Sequence, residues 1–218
     1  MFRSLEGLSQ QLKGMVMPGS IIDDSRESVG IATNLSRFGL DHRHLVDSLI
    51  VAPQTTVDLS TQDDRDSAIK PILINTDRLD VFKSWIGSSD VVVASDPALA
   101  NHYQLPGAEW NGRRLSDSGR LSAEEISEIE KACRVYLFGD SSRVESYRQV
   151  IEFLYAPFVA AVYAVRKVTI KSGGRLVVTG KPTILLFDEL ELFSPGVLVT
   201  YTVCNASIGR FQKKEGKE

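Results

Sequence analysis

Apolar residues near the start of the chain recur at the spacing of one helix face. They are separated by three or four positions, which predicts an amphipathic helix of about four turns that ends near Pro18-Gly19. The apolar stripe consists of Phe2, Leu5, Leu8, Leu12 and Met15. Such a stripe can pack on the body of the same chain or on a second copy, and packing within the chain is the simpler interpretation.

Two further helices are predicted in the second half of the chain. Ser122 and Glu125 have the spacing of a capping box, in which the serine hydroxyl accepts the amide of Glu125 and the carboxylate reaches back to the amide of Ser122. The helix that follows has an apolar face formed by Ile126, Ile129 and Cys133. A second amphipathic pattern, which ends before Pro157, consists of Val144, Tyr147, Ile151 and Leu154.

Short apolar or β-branched segments predict strands elsewhere. Before residue 140 they lie at 49–51, 55–59, 72–74, 79–82, 91–93 and 135–138. After residue 158, turn-forming residues recur every 7 or 8 positions, centred near residues 173, 181, 188 and 195. This spacing predicts four or five short strands in the last third of the chain.

The chain also resembles itself. Residues 70–82 and 181–193 align without a gap at an offset of 111 residues, with identical Lys, Pro, Asp, Leu and Phe at equivalent positions. Each segment has the pattern of a strand, a turn at the aspartate and a second short strand. The match predicts two related halves, 1–110 and 111–218, joined through the turn-rich residues 97–120.

These patterns together predict an α+β fold. Its strand-rich body would be built from the two related halves, with amphipathic helices on its flanks. Short strands at this spacing fit a meander, a sandwich or a short β-solenoid. A meander or sandwich is the favoured prediction, because the apolar helix stripes need a sheet surface to cover.

Composition and charge narrow the class of protein. The chain has 218 residues, 43% of them hydrophobic, and its formal net charge is −3, which is typical of a globular protein and argues against nucleic-acid binding. The uncharged apolar run 153–165 contains Pro157 and is too short for a membrane span. Without a secretory apolar segment, the expected location is cytoplasmic, and Cys133 and Cys204 are expected to be reduced.

One short motif points to chemistry. Residues 135–141 read Val-Tyr-Leu-Phe-Gly-Asp-Ser, and Asp41 and His44 have the Asp-x-x-His spacing. The combination resembles the GDS-type (SGNH) serine esterases, although their serine block precedes the Asp-x-x-His pair and here it follows. The resemblance implies that Ser141 attacks an ester, His44 takes the serine proton and Asp41 orients His44. The alternative is that Gly139 ends a strand and that Ser141 or Ser142 caps the following helix.

Other candidate sites are weaker. Trp85 and Trp110 could stack on a sugar, which gives a carbohydrate-binding module as a further alternative, or they could pack within the protein. The histidines and the acidic clusters lack the spacing of metal ligands, so no metal or cofactor is predicted.

The leading hypothesis is therefore a non-catalytic binding or assembly protein. It depends on the internal repeat, on the N-terminal apolar stripe and on the tendency of uncovered sheet edges to pair with other chains. It predicts a homo-oligomer or a complex with a protein partner.

Overall fold

The computed structural model describes residues 30–100, 102–110 and 121–216, and these form two compact units. Residues 30–74 and 159–216 form the first, which we call the solenoid unit. Residues 75–158 form the second, which we call the insert unit because it interrupts the first along the chain. The predicted helix at 2–15 and residues 111–120 of the predicted connection lie outside the described residues.

The solenoid unit contains mainly strands. It begins with helix α1 (Ile31–Ser36) and a 3₁₀ turn (His42–His44), followed by β1 (Val46–Val51), β2 (Thr56–Ser60) and β3 (Ile72–Thr76). After the insert unit it continues with β4 (Phe158–Ile170), β5 (Arg175–Thr179), β6 (Thr183–Phe193), β7 (Val197–Thr200) and β8 (Cys204–Lys214).

The described part of the insert unit is helical. Its helices are α2 (Leu79–Ile86), α3 (Asp90–Ser95), α4 (Pro97–Ala100), α5 (Ala123–Phe138), a 3₁₀ segment (Ser141–Tyr147) and α6 (Arg148–Tyr155). The predicted capping box is present at the start of α5. The amide of Glu125 donates to Ser122 Oγ at 3.1 Å, and the amide of Ser122 donates to the Glu125 carboxylate at 2.8 Å.

Strands of the solenoid unit stack in parallel rungs. One sheet has the order β1-β4-β6-β8, with β3 also paired to β4, and the other has the order β2-β5-β7. Val165 pairs with Val46 on one side and Phe187 on the other, and Phe187 pairs in turn with Ile208. The rungs are therefore β1 with β2, β4 with β5, β6 with β7, and finally β8. A chain that coils so that each rung pairs in parallel with the next is a β-solenoid.

The structure confirms the α+β class and distinguishes among its alternatives. Neighbouring strands of a meander run antiparallel. Here the five strand pairs whose residue register is defined are all parallel. The strand pairing therefore contradicts the meander and matches the short β-solenoid, and it does not test the sandwich.

The core of the solenoid unit consists of inward-facing side chains that stack from rung to rung. On β4 the inward residues alternate as Ala161, Tyr163 and Val165, and then continue as Val168 and Ile170. Two consecutive residues, 166 and 167, therefore face outward, and the same change of alternation occurs in every rung. We call these positions the corner: Asp47-Ser48, Arg166-Lys167, Asp188-Glu189 and Gly209-Arg210.

Several predicted strands are helices. Residues 79–82 begin α2, because Leu79, Phe82 and Ile86 bury one helix face at spacings of three and four. Residues 91–93 belong to α3, and residues 135–138 end α5 with all four side chains buried. A short apolar run buried on all sides does not distinguish a strand from a helix.

The predicted two-half repeat is not confirmed. Residues 72–76 and 183–187 are both strands, but the first is followed by helix α2 and the second continues as one strand to Phe193. The predicted turn at 188 is the corner of β6 and not a chain reversal. The halves 1–110 and 111–218 stay a prediction, and the compact units divide the chain elsewhere.

Among the ranges that the structure describes, no helix combines the length and apolarity needed to cross a membrane. Both cysteines are free thiols, with Cys133 buried and Cys204 half-buried. Burial raises the pKa of each thiol to about 12.

Removing the Phe187 ring tests the stacked core. Phe187 is 1% exposed, and we expect Phe187→Ala to lower the free energy of unfolding of the solenoid unit by about 3–5 kcal/mol because it leaves a cavity. Urea unfolding followed by the far-ultraviolet strand signal measures this loss. Phe153→Ala is the matched control, since Phe153 is 64% exposed and its loss should cost less than about 0.5 kcal/mol. Equal effects of the two variants would contradict the described core.

Candidate functional site

The solenoid unit has an open end where β8 and β7 are the last strands of their sheets. Inward side chains of the last strands are more exposed than their equivalents in the preceding rung, because no further described rung packs on them. Leu176 is fully buried, whereas Leu198, its neighbour in the next rung, is half-buried. Leu190 is 3% exposed, whereas Phe211, its neighbour on β8, is 41% exposed. Among the residues that the structure describes, the open end is therefore a cross-section of the core that no further rung covers.

Over residues 204–209, the edge of β8 lacks the charges and prolines that prevent strands from pairing with other chains. The strand has 11 residues, contains no proline and presents uncharged inward residues from position 204 to position 211. These inward residues are Cys204, Ala206, Ile208 and Phe211. The first charged inward residue is Lys213, near the end of the strand. An edge of this length with mostly uncharged inward residues can accept another strand.

Charges at the corner alternate from rung to rung. Asp47 in the first rung faces Arg166 in the second, with 3.6 Å between their charged groups. Lys167 in the second rung and Arg210 in the last lie 3.7 Å and 2.9 Å from Glu189 in the third. Successive rungs thus carry negative, positive, negative and positive corners, so that each rung attracts its neighbours.

Glu191 forms the tightest of these ionic links. It is 8% exposed and lies between two lysines, accepting from Lys214 Nζ at 2.5 Å and lying 3.2 Å from Lys167 Nζ. Hydrogen bonds from Lys214 and then Lys167 lower the pKa of Glu191 from 4.5 to about 2, against the opposing effect of burial. The carboxylate thus fastens β8 to β6 and β4.

At the opposite end of the solenoid unit, the outer edge of β2 is covered. Ala68 donates its amide to the carbonyl of Asp58 at 2.8 Å, and Ser60 donates its amide to Ser67 Oγ at 3.1 Å. The ladder between β2 and β5 uses the carbonyl of Thr55 and then alternate residues, so these groups of Asp58 and Ser60 lie on the outer edge of β2. The segment around residue 68 therefore occupies that edge.

Ser141 has a structural partner in the insert unit. Its hydroxyl donates to Asp90 Oδ2 at 2.8 Å and its amide donates to Asp90 Oδ1 at 2.9 Å. The buried Lys83 donates to the same carboxylate at 2.7 Å and to the carbonyl of Gly139 at 3.2 Å. Burial raises the pKa of Asp90, but hydrogen bonds from Lys83 and Ser141 outweigh it, and the pKa is lowered. Asp90 thus ties the start of the 3₁₀ segment to α2 and α3.

Asp41 and His44 are brought together, but in the solenoid unit. They form a capping box around the 3₁₀ turn, in which the amide of Asp41 donates to His44 Nδ1 at 3.2 Å. Arg43 donates to both carboxylate oxygens of Asp41, and these hydrogen bonds hold the pKa of Asp41 well below its usual range. The backbone amide of Asp41 thus holds His44 at Nδ1, while Ser141 lies in the insert unit beside Asp90, and the catalytic roles of these three residues stay a prediction.

Both tryptophans are half-buried and contact other rings. Trp85 packs edge-on against Phe82 with ring centroids 6.3 Å apart, and Trp110 lies 5.9 Å from Tyr147. These contacts match the packing alternative, and sugar binding stays a prediction. Within the described ranges no three His, Cys, Asp or Glu residues come together as a metal site would require.

The pKa of Glu191 makes the solenoid unit sensitive to acid. A lowered pKa stabilises the fold fully above the unfolded value of 4.5, and that contribution is lost as the pH falls toward 2. We expect Glu191→Gln to lose about 1–3 kcal/mol at pH 7 and to flatten the pH dependence of the unfolding free energy below 4.5.

Urea unfolding at a series of pH values measures both effects of Glu191→Gln. The control is Asp47→Asn, because the side chain of Asp47 is 92% exposed and its ion pair should contribute only a few tenths of a kcal/mol. An acid dependence that is unchanged in Glu191→Gln would show that Glu191 does not fasten the rungs.

Replacing Ser141 separates its structural role from a catalytic one. Ser141→Ala should destabilise the insert unit by about 0.5–1.5 kcal/mol through the loss of the bond to Asp90. Tryptophan fluorescence follows this unit, because it contains both Trp85 and Trp110. Ser142→Ala, which removes only a local bond to Asp140, is the control. Hydrolysis of short aryl esters that disappears in Ser141→Ala would instead support the esterase prediction.

Comparison with known proteins adds no relative. No protein-family model matches the chain, and no significant match was found among curated proteins or solved structures.

Proposed function

We propose that this chain is a non-catalytic assembly protein that associates with further copies of itself through the open end of its solenoid unit. The observation that carries the proposal is the exposure of inward side chains at β8 and β7, above all Phe211. In the preceding rungs the equivalent positions are buried by the next rung.

Two physical terms favour association at this end. Backbone groups along the outer edge of β8 can form a new ladder with an incoming strand, which supplies affinity without requiring special side chains. Covering Phe211 and Ile208 adds a hydrophobic gain of about 25 cal/mol for each Å² of apolar surface removed from water. Together these terms give one surface both hydrogen bonding and burial.

Two of the three charges of β8 do not oppose this association. Arg210 and Lys214 face outward, where they are paired with Glu189 and Glu191 of the same chain. Their charges are therefore compensated before a second copy arrives. The cost of bringing two β8 strands together is reduced accordingly.

The residues of the esterase interpretation have structural partners that account for their positions. Ser141 bonds to Asp90, and His44 accepts from the backbone of its own 3₁₀ turn. These contacts support a structural role for both residues and favour assembly over hydrolysis as the proposal.

A charge at the open end should prevent association. Light scattering over a concentration series should give the wild-type protein a mass above the 24.1 kDa of one chain. Phe211→Glu should shift the mass to that of the monomer, because a buried unpaired carboxylate opposes pairing.

The matched control is Phe153→Glu, which introduces the same charge at an exposed phenylalanine of the insert unit and should leave the oligomer intact. A wild-type protein that stays at 24.1 kDa at every concentration refutes the proposed function.

A further inference from the structure

The two ends of the solenoid unit differ, and the difference constrains how copies can associate. At the first rung, Leu49, Val51 and Leu59 are buried, and the segment around residue 68 occupies the outer edge of β2. At the open end, β8 pairs with β6 alone among the described strands. Among the described residues, the first rung therefore has buried inward side chains and an occupied edge on β2, whereas the last rung has neither.

This asymmetry favours a closed dimer over a fibre. A fibre needs two complementary ends on every copy, whereas a two-fold dimer uses the same surface twice. Building on the proposed function, we propose that two copies associate tail to tail, with β8 of one chain pairing antiparallel with β8 of the other. The occupant of the open end is thus a second copy of this chain.

The hydrogen-bonding pattern of β8 fixes the register. The ladder with β6 uses the carbonyls of Val203 and Lys214. Since strand residues alternate in direction and the alternation changes at the corner, the inward residues Ala206, Ile208 and Phe211 direct their backbone groups away from β6. For β8 to pair along its whole length, these backbone groups must face each other on both sides of the corner. This condition aligns the two corners and places Ile208 opposite Phe211 of the second copy.

The same register places the two-fold axis at the corner, between Gly209 and Arg210. The part of β8 before the corner then pairs, edge to edge, with the part after the corner in the second copy. The two exposed apolar residues cover each other. Gly209 has no side chain and leaves space for Arg210 of the second copy across the axis.

The distribution of charge along β8 is compatible with this arrangement. The positive residues of the strand are confined to its end, at Arg210, Lys213 and Lys214, whereas residues 204–208 carry no charge. Antiparallel pairing lays each positive end over an uncharged one, and Lys213 falls opposite Ala206. Like charges are thereby kept apart along both parts of the strand. At the axis the two Arg210 side chains approach each other, and each is paired with Glu189 of its own chain.

Head-to-tail stacking is the competing arrangement. It would continue the alternation of corner charges, because Arg210 would meet the corner that contains Asp47 and Ser48 in the next copy. It would also require the chain to uncover the outer edge of β2, which Ser67 and Ala68 already occupy. The covered edge is the observation that favours the tail-to-tail dimer.

Disulfide trapping distinguishes the arrangements in the full chain. In the tail-to-tail dimer the two copies of residue 210 lie across the axis at about 5–7 Å between Cα atoms, within disulfide range. We expect Arg210→Cys, in a Cys204→Ser background, to form a cross-linked dimer under mild oxidation. The matched control is Asn205→Cys, on the same strand and also exposed, because its two copies lie too far apart to cross-link.

The outcomes separate the two proposals. A fixed dimer mass in the wild type with cross-linking through Arg210→Cys, but not through Asn205→Cys, supports both. A mass that grows with concentration, with cross-linking only in the double variant Arg210→Cys/Ser48→Cys, upholds self-association but overturns the tail-to-tail dimer. A monomer that forms no cross-link overturns both proposals and leaves the open end to another segment of the chain or to a different protein.

Discussion

The stacking of inward side chains from one rung onto the next is the interaction on which this fold depends. A single rung of this solenoid has too few residues to bury its own apolar positions, and it becomes stable only when a neighbour covers it. Val165 and Phe187 are buried because they have rungs on both sides. Phe211 has the same orientation but a rung on one side only, so its exposure follows from its position in the stack.

Charge performs a second role along the same stack. The corner leaves two consecutive side chains outside the core, and the chain fills these positions with opposite signs in successive rungs. Glu191, held between Lys167 and Lys214, extends the pattern beyond the corner and links three rungs. Apolar contacts thus bind the rungs from within, while ion pairs align them from outside.

The amino-acid sequence identified elements more reliably than their arrangement. The capping box at Ser122 and the strands near Leu49 and Val57 follow from local patterns, and the structure has them. The rung repeat was harder to detect, because Val165, Phe187 and Ile208 are separated by 22 and 21 residues and share only apolar character. Comparing the chain with itself at an offset of 111 residues aligned a strand and a helix in the first segment with a single strand in the second. The open end could not be located without the strand order, since sheet edges are defined only by pairing.

Because the insert unit separates the first two rungs along the chain, ribosomal synthesis delays the pairing of those rungs. Val46 pairs with Val165, so the first rung must wait for 119 further residues before its partner strand exists. At about 5–20 residues per second, ribosomal synthesis imposes a delay of roughly 6–24 s. During that interval the insert unit has emerged almost entirely, whereas β1 and β2 are still without the rung that covers them. A nascent chain of this protein therefore exposes unpaired strands for longest at its beginning, where chaperones have the most time to act.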